Sequence, residues 1–76
     1  MPADRPTPAA IEAALRVLLD EKSRFVRRTE VAEGRAMRAR QSGRSAAVFE
    51  ARAQQLHGAA EDLRSVIAWV EGVRDE

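Results

Sequence analysis

Twelve arginines and a single lysine carry the positive charge of this chain, and the arginines crowd into its middle. From Arg24 to Gln54, eight arginines (Arg24, Arg27, Arg28, Arg35, Arg38, Arg40, Arg44, Arg52) face three acids (Glu30, Glu33, Glu50), a net of +5. The whole chain carries only +1, so the remainder holds −4, with acid pairs at Asp20-Glu21, Glu61-Asp62 and Asp75-Glu76. A guanidinium forms paired hydrogen bonds to carboxylate or phosphate. Arg35, Arg38, Arg40 and Arg44 are therefore candidate contacts for an acidic protein surface or a nucleic-acid backbone. No aromatic residue is interleaved among them for base stacking, which favours protein over nucleic acid. The plainest account of most of this charge is a solvated helix face, with pairs inside the chain such as Arg40 with Glu50.

Other chemistries lack their parts. His57 is the only histidine, and the residue three before it is Gln54, so the Glu-x-x-His of carboxylate-bridged metal bundles is missing. Its expected role is to pair with Glu33. Lys22 falls on an apolar stripe, where it is expected to reach outward toward Asp20, Glu21 or Asp62 rather than act as a buried base. With no cysteine, thiolate nucleophiles, disulfides and cysteine metal sites are excluded. No glycine-rich phosphate loop or nucleophile elbow occurs. The expectation is a protein that is not an enzyme and holds no metal or cofactor.

The elements that would position these residues are helical, because the chain is rich in Ala, Glu, Arg and Leu. Thr7-Pro8 reads as N-cap and first helical residue. The spacing predicts a lead-in over 1–7, a helix over 8–41, a turn over 42–45 and a second helix over 46–74, all in one domain of 76 residues. Gly43 is placed to close the first helix in the left-handed conformation, and Ser45 to cap the second. In the second segment Ala46, Phe49, Ala53, Leu56, Ala60, Leu63, Ile67 and Val70 alternate steps of three and four, a heptad seam. Ile11, Leu15, Leu18, Lys22, Phe25, Thr29, Ala32, Ala36 and Ala39 repeat the alternation in the first. Folded about the turn, so that partners' numbers sum to about 85, large residues face small ones through the middle, as Phe25 faces Ala60 and Ala36 faces Phe49. The fold class is thus all-α, an antiparallel, coiled-coil-like two-helix hairpin. Gly34 and Gly58 lie on the outer faces, and a break at Gly34, giving three helices, is the structural alternative.

A thin, alanine-rich seam buries little area against the entropy of ordering the chain. Apolar residues also lie outside it: Leu19 and Val26 at e positions, Val66 and Val73 at g, Trp69, Val17 and Val31 at c. Such surface marks an interface, and Leu19, Val26, Val66, Trp69 and Val73 are the candidate partner-binding residues, with Trp69 as anchor. The hairpin is expected to complete a four-helix bundle, as a homodimer or by docking on a larger protein. The functional expectation is a small interaction module acting as regulator, inhibitor or assembly factor; the alternative is a nucleic-acid-binding hairpin using its arginine tip. No apolar run approaches the roughly 20 residues of a membrane span and no leader pattern is visible, so no membrane partner is expected and a cytoplasmic location is the default.

Overall fold

The computed structural model describes residues 5–76, so residues 1–4 of the predicted lead-in lie outside the described residues. Two helices, α1 (Pro8–Gln41) and α2 (Ala47–Arg74), pack against each other along their lengths in a rod of 63 × 17 × 14 Å. Thr7 sits in extended backbone, and its Oγ1 accepts a hydrogen bond from the Ala10 amide at 3.1 Å while Pro8 occupies the first turn. One otherwise orphaned helical N–H is satisfied in this way. α1 runs through Gly34 without interruption, so the three-helix alternative is not what forms.

The turn is built around Gly43, whose φ is +73°. The Arg44 amide donates to the Ala39 carbonyl at 2.8 Å and the Gly43 amide to the Arg40 carbonyl at 3.1 Å, the paired bonds of a Schellman closure. The predicted start at Ala46 is corrected to Ala47: Ala46 lies at φ −98°, ψ 0°, just outside the helix, and has no side-chain cap. The Ala47 amide donates to Ser45 Oγ at 3.3 Å, a local turn two residues long rather than the predicted cap.

The seam is where the heptads put it. Every buried residue among those described (Leu15, Thr29, Ala32, Ala36, Ala39, Ala46, Ala53, Leu56, Ala60 and Ile67) stands at a seam position. Phe25 packs against Ala32, Ala53 and Leu56, and Phe49 against Ala36, Ala39 and Ala46, so the layers are those of the sum-to-85 register. Thr29 is tolerated inside because its Oγ1 donates to the Phe25 carbonyl at 2.8 Å, one turn back. Ion pairs cross the hairpin at both ends: Arg40 with Glu50 at 3.5 Å near the turn, and Arg74 with Glu12 at 3.6 Å near the termini. All four side chains are substantially solvated, so these pairs help set register more than they add stability. The hydrogen bond from Arg74 Nε to Asp75, together with the Asp75 charge, raises the Arg74 pKa above its ordinary value.

Candidate interaction surface

An antiparallel pair has two open sides. With the seam at a and d, the c and g positions of both helices share one side, and the b and e positions share the other. The first side carries the arginines of the turn half. A hollow of about 330 Å³ has Val31, Ala32, Phe49 and Leu56 in its lining and Arg27, Arg28, Arg35 and Arg52 around them. A second, of about 490 Å³, continues it toward the turn, sharing Arg35 and Phe49 and adding Arg38, Arg44 and Ser45. Neither hollow is lined by an acid. The result is one apolar-floored groove walled by guanidinium groups, with the Arg28 guanidinium 5.7 Å from the centre of the Phe25 ring.

The structure brings Arg35, Arg38 and Arg44 together in this groove and leaves Arg40 out. Arg40, an e residue, lies on the opposite side with Glu33, Met37 and Glu50. Arg27, Arg28 and Arg52 belong to the groove although tip position alone does not select them; their f and g positions are the signal that does. His57 and Glu33 line one shallow hollow on the Arg40 side, but the pair forms no ion pair within 4 Å. Lys22 is half-buried and makes no ion pair with Asp20, Glu21 or Asp62; the Glu21 carboxylate is taken by Arg24 at 2.6 Å.

The apolar candidates divide likewise. Val66, Trp69 and Val73 stand at c and g, on the arginine side, at the end away from the turn. Trp69 is 71% exposed and Val66 is also exposed, whereas Val73 is half-buried. Leu19 and Val26 are exposed on the other side, in a hollow with Lys22, Ser23, Glu30 and Arg27, whose outermost f position borders both sides. Val48, 77% exposed, and Met37 add apolar surface near the turn that the candidate set from sequence does not include. Among the described residues no group of three His, Cys, Asp or Glu could hold a metal ion, and no helix is long and apolar enough to cross a membrane. No protein-family model, curated protein or solved structure matches the chain.

Proposed function

We propose that this chain is a small, non-enzymatic interaction module that self-associates, docks on a larger protein as a regulator, inhibitor or assembly factor, or does both. The observation that carries the reading is the mismatch between what the hairpin buries and what it leaves out. Its interior is mostly alanine, and among the described residues no large side chain is fully sequestered. Meanwhile Val17, Leu19, Val31, Val48, Val66 and Trp69 stand in the open. A rod with that balance gains by covering its flanks. Sedimentation equilibrium over a wide concentration range tests it. A dimer is the expected result; a stable monomer whose Trp69 emission stays that of a fully hydrated indole would refute self-association.

A second reading is favoured by the absence of acids in the arginine groove: contact with a nucleic-acid backbone. Such binding would be blind to sequence and steeply weakened by salt. A mobility assay at two ionic strengths separates the readings, and no shift at the lower one removes the second.

A further inference from the structure

Resting on the self-association just proposed, we infer that the partner covering the arginine side is a second copy of this chain, packed face to face and antiparallel about a two-fold axis at the middle of the rod. The argument begins with the two midpoints. α1 (Pro8–Gln41) is centred between Arg24 and Phe25, and α2 (Ala47–Arg74) between Ala60 and Glu61. These two points lie level with each other in the register of the seam, so one axis can pass through both. An axis lying in the interface and perpendicular to the rod lays α1 on the partner's α1 and α2 on the partner's α2, each reversed.

That one operation, fixed by helix length alone, pairs several exposed side chains of the arginine side in kind, although it also brings Arg24, beside the axis, level with its own mate. On α1, Val17 comes to within one residue, about 1.5 Å along the rod, of the level of the partner's Val31, and both are exposed in the single hairpin. Glu21 meets the partner's Arg28. On α2, Trp69 meets the partner's Arg52 at the rim of the apolar-floored groove, where an indole face can stack on a guanidinium. Val73 meets the partner's Val48, the most exposed of the large apolar residues. Two-fold symmetry makes each of these contacts twice. The opposite orientation, turn on turn, would set the +5 half of one copy against the +5 half of the other, whereas the reversed one sets it against the −4 remainder. Charge therefore selects the reversed arrangement over the parallel one.

The absence of cysteine makes the test direct. Val17→Cys and Val31→Cys copies, mixed and treated with a short bismaleimide, are expected to cross-link to each other. Neither should cross-link to itself, because each residue lies about seven positions from the axis, roughly 20 Å from its own symmetry mate at 1.5 Å per residue. A dimer that instead links Val17→Cys to itself overturns the arrangement and leaves self-association standing; a monomer at every concentration overturns both. Trp69→Ala is expected to raise the dimer Kd at least tenfold, on the order seen for tryptophan anchors. Glu21→Arg alone and Arg28→Glu alone should each weaken the dimer several-fold, and mixing the two variants should restore it, since the mixed pair sets opposite charges at both symmetry-related contacts. Failure of the mixture to recover affinity would also overturn the arrangement.

Discussion

Leu56 and Thr29 show what this seam asks of individual side chains. Leu56 is one of the few large residues that the hairpin buries, and it joins Ala32 and Ala53 under Phe25. Leu56→Ala removes three carbon atoms from that layer and should cost about 2–4 kcal/mol, enough to unfold much of a chain this short. Thermal melts followed by circular dichroism check it; a drop of less than about 1 kcal/mol would show that the layer is not packed. Thr29 makes the opposite case. Its hydroxyl bonds only the Phe25 carbonyl, which the helix already engages through the Thr29 amide. Thr29→Val replaces a back-bonded hydroxyl by a methyl facing an apolar seam, so the melting temperature should rise, by an increment worth about 1 kcal/mol or less. A fall would mean that the hydroxyl has another partner in the assembled protein.

The helices and their turn are largely legible in the sequence, because period and punctuation are local. Alternating steps of three and four name the seam, and Thr7-Pro8 and Gly43 mark the ends of α1. What escaped was relational. Arg40 reads as one more tip arginine until its e position puts it beside Glu50 and away from Arg35. Ser45 reads as a cap until the first helical bond, from the Glu50 amide to the Ala46 carbonyl, makes Ala46 the residue that precedes the helix. Glycine at three sites separates the local from the relational. Gly43→Ala forces a side chain into a φ of +73° and should destabilise by about 1–2 kcal/mol. Gly58→Ala meets open space and Gly34→Ala only the end of the Arg38 side chain at 3.8 Å, so each should stabilise by roughly 1 kcal/mol through helix propensity. Chemical denaturation of the three variants decides the matter. Should Gly58→Ala or Gly34→Ala prove destabilising, a partner's backbone must approach that outer face.

Across the whole rod, the proposed self-association would make folding and association one equilibrium. A molecule 63 Å long and only 14–17 Å across exposes most of its described residues, so the surplus from its seam is small and, in the proposed dimer, a second copy would supply the missing burial. The inferred dimer is a four-helix bundle whose inner layer holds Trp69 and the exposed valines of the arginine side. Leu19 and Val26, exposed on the side away from the arginines, would remain on its outer faces. Mass action then requires the melting temperature to climb with protein concentration, each tenfold increase adding about 1.4 kcal/mol of apparent stability per dimer. Raised salt should lower that temperature by screening the reversed +5 and −4 halves, while leaving a dimer held by tryptophan and valine contacts. Melts at two concentrations and two ionic strengths give four numbers, and the pattern is specific. A melting temperature that ignores concentration denies the association. One that follows concentration and rises with salt denies the charge pairing, and with it the reversed orientation of the two rods.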